Sequence, residues 1–386
     1  NHNSVLGIRE YALDKGAKFK CIDMKELDDV FNNEQQQLQR DEQIYKKEQN
    51  SQVNYQETQS IQNDIQVEDQ KEERITYNLF AYPAECNYSG KKYPLDLINK
   101  IHTAFVPTAR LDLSKYPADF VCISFYKMFG FPSGIGALIV STEAAKLLRK
   151  TFFGGGTVSL SVADDNFFQW MPELCARFED GTLAFLNIAG LRHGFDALEK
   201  VGGMDQITKH TFSLEDYLWS EMKDAKHDNG KPLFEFYGDH ATRDKSKQGP
   251  IINFNVLDKE GSYFGYIDIS IFAAQKNIHL RTGCACNPGA CYDFLHVPKD
   301  LIKGTVAHIQ KNACGEKLDI VHGRPIGSIR VSFGYVSNFE DAETIYNFFT
   351  QNFRNKTAQQ FEDEMQLIEI QNKNEEQKKQ YQQRIA

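Results

Sequence analysis

The stretch FVCISFYKMFGFPSGIGALIV, residues 120–140, decides the fold. Its first seven residues form a nearly continuous apolar run of one strand's length, the pattern of a strand buried on both faces of a parallel sheet. Gly134 and Gly136 mark a tight turn, and the β-rich ALIV after them reads as a second strand. Lys127 closes the first run and meets an apolar, glycine-containing turn at once. Its amine is expected to project from a sheet edge into a partly desolvated site, where lost hydration lowers a lysine's pKa and makes it a nucleophile toward aldehydes. A plain surface lysine is the alternative. Ser124 offers a hydroxyl to a phosphate held in the same site, and Tyr126 adds a phenol.

Outward from this stretch, helical periodicity is expected at 144–149 and at 187–200, where Leu191, Phe195 and Leu198 share a face. A long amphipathic segment at 207–222 leads into a second region. That region holds a strand at 250–257, a helix at 268–276, a strand at 278–281, a loop of cysteines and a strand at 328–335. Mixed strands and helices of this kind predict an α/β architecture. The expected division is a large domain over 1–200, interrupted at 31–75 by a Gln- and Glu-rich insertion, then a small domain over 201–350 and a charged helical tail over 351–386. The insertion lacks the apolar residues to offset its ordering entropy. In the tail, Phe361, Met365, Ile368 and Ile370 make only a weak stripe, which predicts a marginal solvated helix.

The whole chain sets further bounds. With 386 residues, 41% of them hydrophobic, it can build a large and a small core. A formal net charge of −9 without a basic stripe excludes the footprint of a nucleic-acid binder. Apolar runs such as 135–140 fall far short of the roughly 20 residues that span a bilayer. Eight cysteines, three of them crowded between Cys284 and Cys291, suit reactive or metal-binding thiols in a reducing cytosol better than a disulfide framework. The chain opens on Asn1, so it is expected to begin inside a longer ancestral domain.

Three further motifs carry candidate chemistry. In RTGCACNPGAC, residues 281–291, the thiols lie between Gly283 and the turn signal Asn287-Pro288-Gly289, which predicts a flexible exposed loop suited to reactive cysteines. Zinc held by three sulfurs with His296 as a fourth ligand, or a purely structural role, are the alternatives. Arg330 sits inside a strand-like apolar run, where a charge is costly unless it meets an anion. A substrate carboxylate gripped bidentately would justify it, as would a structural salt bridge. Gly154, Gly155 and Gly156 with Thr157, and RFEDGT ending in Thr182, are loops able to bring N–H groups and hydroxyls near a phosphate.

Taken together, SFYKMFGFPSGIGALIV, GGGTVS, RFEDGT, QGPIINFNVLD, NIHLRTGCACNPGAC and GSIRVSFGY resemble the sulfurase domain of the eukaryotic molybdenum cofactor sulfurases, over most of 77–349 and in the right order. That group belongs to the class V aminotransferases and cysteine desulfurases. The resemblance implies a fold type I pyridoxal-phosphate transferase: a truncated large domain with a mixed, mostly parallel sheet, and a small α/β C-terminal domain. By position it makes Lys127 the cofactor lysine, Ser124 a phosphate ligand with Tyr126 beside it, and His2 the imidazole stacked on the pyridine ring. Thr182 resembles the residue that reaches the phosphate of a neighbouring subunit, implying a homodimer. Arg330 resembles the arginine that holds the carboxylate of L-cysteine. Cys286 aligns with the persulfide-forming cysteine, Cys284 is the runner-up, and Arg281 is a positive neighbour that favours the thiolate. The implied activity is cytoplasmic transfer of sulfur from L-cysteine to molybdenum cofactor, with release of alanine. A general cysteine desulfurase and an inactive fragment are the alternatives.

Three departures accompany the resemblance. The chain starts at the His2 motif. Between Ile101 and Ala104 the family carries a longer passage with a strand and the aspartate that pairs with the pyridine nitrogen, so loss of a central strand is expected. After Phe349 nothing resembles the cofactor-binding domain that usually follows.

Overall fold

The computed structural model describes residues 2–23, 26, 79–100, 103–105, 111–304 and 319–385. The insertion expected at 31–75 lies outside the described residues. Two compact units emerge, one of Asn1–Leu6 with Leu79–Ala386 and one of Gly7–Asn78. The first opens with α1 (Asn3–Leu6), and the described part of the second holds α2 (Ile8–Asp14). Among the described residues no helix is long and apolar enough to cross a membrane.

The first sheet of the larger unit contains β1 (Phe80–Ala81), β2 (Thr103–Phe105), β3 (Phe120–Ser124) and β4 (Gly136–Val140), in that spatial order. A short α3 (Leu97–Lys100) precedes β2. β1, β2 and β3 run parallel, and β4 returns antiparallel with Ser124 opposite Gly136. The position between β1 and β3 is filled by the three residues of β2. Gly136 is needed for the close approach, since a Cβ there would stand 2.6 Å from the Ile123 carbonyl oxygen. β3 also differs from expectation: it ends at Ser124, only Val121 within it is buried, and Cys122 is exposed. The strand stops early because buried Phe125 turns the chain into α4 (Tyr126–Phe129), a single helical turn that carries Lys127.

α5 (Thr142–Ala145) is shorter than the helix expected at 144–149 and starts at an Ser141 cap, whose hydroxyl accepts from the Ala144 N–H at 3.2 Å. β5 (Val158–Ser161) and β6 (Phe168–Trp170) form a hairpin, followed by α6 (Leu174–Phe178) and α7 (Phe185–Lys200). α7 supports α4. The Phe195 ring meets the rings of Phe125 and Phe129 at 6.0 and 5.5 Å, and Phe129 lies over Gly194 so closely that a Cβ there would stand 2.4 Å from the ring.

α8 (Gly203–Met222) leads to an antiparallel sheet of β7 (Phe234–Phe236), β8 (Ile251–Val256), β9 (Arg281–Gly283) and β12 (Ser328–Ser332), ordered β7-β8-β12-β9. Between these strands run α9 (Tyr266–Gln275), α10 (Pro288–Phe294) and the small hairpin of β10 (Ile320–Val321) and β11 (Arg324–Pro325); α11 (Phe339–Phe353) and α12 (Ala358–Ile385) follow. The strand expected at 278–281 is β9, three residues later. Ile278 and Leu280 pack against the core, but ladder bonds begin only where β12 offers partners, from Arg281 to Gly283. Leu214, Leu218 and Met222, spaced four residues apart on α8, cover one face of this sheet. Phe254, Phe264, Phe272, Phe348, Phe349, Phe353 and Phe361 interlock beside them, with ring centroids 4.8–6.4 Å apart.

Phe361 corrects the expectation of a solvated tail. The first turns of α12 belong to the core: Phe361 is 1% exposed and Met365 7%. Phe361→Ala is therefore expected to cost about 3–5 kcal/mol, as for other buried phenylalanines, read as a fall in the denaturant midpoint; an unchanged midpoint would place α12 outside the core. Gly194→Ala is expected to displace Phe129 at a cost of about 1–3 kcal/mol, the range for overpacking, and thermal unfolding measures it.

Candidate functional site

The cysteine loop is a closed turn. The Asn287 N–H donates to the Cys284 carbonyl at 2.8 Å, and the two residues between, Ala285 and Cys286, have φ of 50° and 59°. Positive φ at both central positions is the I′ arrangement, favoured by Asn and Gly and uncommon for other residues. Asn287 and Pro288, read in the sequence as a turn signal in a flexible loop, instead start α10. The Asn287 side chain accepts from the Ala290 N–H at 3.2 Å, and proline suits the first helical position.

Cys284 and Cys291 are joined in a disulfide, which corrects the expectation that all the loop thiols are free. Cys286 keeps its free thiol and is exposed. Arg281 places its Nη2 3.7 Å from the Cys286 Sγ. The Cys286 carbonyl accepts from the backbone N–H of Asn3 at 2.8 Å, so the segment bearing His2 is fastened to the turn.

Arg330 lies opposite Arg281 in the β9–β12 register. Its Nη1 donates to the Asn87 carbonyl at 2.5 Å, while its Nε is buried and has no partner. Among the described residues no carboxylate pairs with it. Burial, and then the nearby Arg281 charge, push its guanidinium below the usual arginine range. An unpaired buried donor beside a second cation favours an anion at this point, because each such group is otherwise left without its solvation.

Asn87 was not legible as a site residue. Its Nδ2 donates to the Ala285 carbonyl at 2.6 Å, its Oδ1 accepts from Asn287 Nδ2 at 3.0 Å, and its carbonyl serves Arg330. Asn287 also donates to the buried Cys86 Sγ at 3.4 Å. The only sequence signal, Asn87-Tyr88-Ser89-Gly90, marks a turn and nothing more.

The lysine end of the site is more open than expected. Lys127 is exposed, with its Nζ 5.9 Å from the half-exposed Tyr126 ring; the apolar contacts of α4 are made by Phe125 and Phe129 on its other side. Ser124 is half-buried at the strand end. His2 is half-buried, its Nδ1 accepting from the Ser4 N–H at 3.1 Å. Burial, and then the positive charge of Lys127, hold its imidazole below the ordinary histidine range. His2 and Lys127 therefore act on one another within one region. His2 thus lies within electrostatic range of Lys127, and its segment is fastened through Asn3 to the Cys286 turn.

The two glycine-containing loops come together, but around a residue of the chain. Asp180 accepts from Lys150 and from the Gly154 N–H, each at 2.7 Å, and these two donors hold its carboxyl below the usual range. The Thr157 hydroxyl donates to the Gly154 carbonyl at 2.8 Å and its side chain also serves the Asp180 carboxylate. The Asp180 carboxylate occupies the Gly154 N–H and Lys150 of this loop pair. Thr182 is exposed beside it.

Comparison with known proteins now places this geometry. The model of the aminotransferase class-V family matches residues 102–345. The molybdenum cofactor sulfurase of Bos taurus is 44% identical over 292 residues, covering 70% of this chain and 33% of that protein. That of Oryza sativa subsp. japonica is 41% identical over 379 residues, covering 92% and 44%. The chain spans between a third and under half of the length of these curated relatives. Among solved structures, the apo cysteine desulfurase of Thermococcus onnurineus NA1 is similar with a TM-score of 0.52 at 20% identity, over 71% of this chain and 60% of that one. A cysteine desulfurase of Escherichia coli is similar with a TM-score of 0.50 at 16% identity, over 70% and 58%. The family match over 102–345 and the likeness of fold agree, and the chain belongs to the aminotransferase class-V family, with the α/β architecture of fold type I.

Proposed function

We propose that the chain takes sulfur from L-cysteine with the help of pyridoxal phosphate, holds it on Cys286 and passes it to molybdenum cofactor, leaving alanine. The observation that carries this reading is Arg330, half-buried with no carboxylate paired to it among the described residues, opposite Arg281, which in turn reaches the Cys286 sulfur. A carboxylate bound there brings an amino acid's side chain toward a free, exposed thiol.

The residues present fit pyridoxal phosphate: an accessible amine at Lys127, a hydroxyl at Ser124, a phenol at Tyr126, and an imidazole at His2 whose pKa burial and then the Lys127 charge lower. Bound there, the cofactor supplies an aldehyde for amines and an electron sink for bonds at the substrate's α-carbon. Lys127 would hold the cofactor and is the group that would move protons at the substrate carbons. His2 would lie beside the cofactor. Arg330 would hold the substrate carboxylate through the part of its guanidinium not given to the Asn87 carbonyl. Arg281 favours the Cys286 thiolate, which is the nucleophilic form. That thiolate attacks the substrate sulfur; the new S–S bond forms as the substrate's C–S bond breaks, its electron pair stays with the carbon skeleton, and protonation completes alanine. The exposed position of Thr182 suits a residue serving the phosphate of a second copy in a homodimer. A cytoplasmic setting, with reducing thiol pools, suits a free carrier thiol.

Incubation with pyridoxal phosphate and L-cysteine is expected to release alanine and to add one sulfur to Cys286. Cys286→Ser abolishes the added sulfur while keeping the visible absorbance of lysine-bound cofactor, and Lys127→Ala removes both; a protein that binds the cofactor yet releases no alanine overturns the reading. Arg330→Ala is expected to raise KM for cysteine on the order of tenfold to a hundredfold, the worth of a hydrogen bond to a charged group, as measured by steady-state alanine formation.

A further inference from the structure

We propose that Cys284 and Cys291 are a working dithiol that takes the sulfur carried by Cys286 and discharges it as sulfide. The proposal rests on the reading of Cys286 as the carrier and adds the fate of its sulfur. Three sulfurs sit on one turn and the helix it starts, graded from solvent inward: Cys286 is exposed, Cys284 half-buried, and Cys291 fully buried at 0%. The inner two are already bonded to each other, with Cα atoms 5.1 Å apart.

Reach is not limiting. Cys284 and Cys286 are two residues apart, so their Cα atoms stand at most about 7 Å apart even in extended chain, and the turn closed by the Asn287 N–H shortens this. Cysteines bond up to a Cα separation of about 7 Å, and a persulfide extends one partner by a further S–S bond of about 2 Å. The turn does not depend on the disulfide alone, because Asn87 holds the Ala285 carbonyl and Asn3 holds that of Cys286. Opening the bond therefore leaves Cys284 in place beside Cys286.

An electron count gives the dithiol its task. Exchanging an oxygen ligand of a metal centre for sulfur, at unchanged metal oxidation state, takes up sulfide; a persulfide offers sulfur two electrons more oxidised. The Cys284 thiolate attacks the outer sulfur of the Cys286 persulfide, forming a Cys284 S–S bond as the Cys286 S–S bond breaks. The electron pair leaves on Cys286, whose thiolate Arg281 stabilises from 3.7 Å. The Cys291 thiolate then attacks the Cys284 Sγ. The Cys284–Cys291 bond forms, and the terminal sulfur leaves with the bonding pair as hydrosulfide. Two thiols are oxidised to one disulfide and one sulfur is reduced to sulfide. An external dithiol, exchanging with the disulfide, restores the starting state. Disulfides inside reducing compartments are mostly of this transient, catalytic kind.

The test uses the full chain and needs no cofactor. The protein is reduced with dithiothreitol, freed of reductant without air, and given one equivalent of inorganic polysulfide; released sulfide is measured, and peptide mass spectrometry locates added sulfur and disulfides. Wild type is expected to release sulfide as the Cys284–Cys291 disulfide appears. Cys291→Ser retains the added sulfur on Cys284, Cys284→Ser retains it on Cys286, and Cys286→Ser loses rapid release. Wild type that keeps its added sulfur on Cys286 with the other two thiols still reduced overturns the proposal, and this result does not depend on how any variant folds. Equal release from Cys286→Ser overturns it too. Alanine formation from cysteine is assayed separately: alanine without sulfide discharge sinks the dithiol alone, and discharge without alanine sinks the desulfurase reading alone.

Discussion

Two arginines held face to face organise the site. Arg281 on β9 and Arg330 on β12 occupy opposed positions of one antiparallel pair, where like charges cost stability unless something negative lies between them. The opposition is fixed by the neighbours of Arg330. Ile329 and Val331 point into the aromatic core and are 0% and 7% exposed, so a slip of one residue would turn Arg330 into that core and the two apolar residues out of it. The cost of burying a lone guanidinium among phenylalanines locks the register, and the register puts both cations on the face that meets the cysteine turn.

The same face is reached from the other sheet by the strap that follows β1. Its residues are stitched to the start of β8: the Gly249 N–H donates to the Gly90 carbonyl at 2.8 Å, Gln248 donates to the Ser89 carbonyl at 2.9 Å, and Asn253 to the Tyr88 carbonyl at 2.7 Å. The approach requires glycine on both sides. A Cβ at Gly90 would stand 2.3 Å from Gln248 Nε2, and one at Gly249 2.1 Å from the Glu85 carboxylate. This close seam is what delivers Asn87 between Arg330 and the Cys286 turn.

Much of this was legible in the sequence where a local pattern carried it. The α8 periodicity, the apolar runs of β4, β8 and β12, and the pairing of a strand-end turn with Lys127 all follow from rules that need only neighbours in the chain. What was missed depends on contacts distant in sequence. Phe361 looked like part of a weak stripe because its partners lie elsewhere in the chain: Phe264 in the loop before α9, Phe272 on α9 and Phe353 on α11. Asn87 carries no signal because its role is set by residues some two hundred positions away. The Cys284–Cys291 bond was discounted on compartment grounds, although Asn287-Pro288 is as much a helix start as a turn, and that helix is what brings Cys291 back to Cys284.

The turn itself carries an energetic argument. Ala285 and Cys286 are both left-handed without being glycine, a conformation that costs roughly 1–2 kcal/mol per residue. Each is countered by a hydrogen bond from elsewhere in the chain, from Asn87 to the first carbonyl and from Asn3 to the second, and Asn287 closes the turn between them. Net contributions of about 0.5–1.5 kcal/mol for each bond are of the size needed to offset that strain. A turn closed by its own hydrogen bond and restrained from two separate segments does not rely on the disulfide alone for its shape. It can therefore present Cys286 at the same place whether Cys284 is bonded to Cys291 or free, and a sulfur passed between neighbouring thiols requires that constancy.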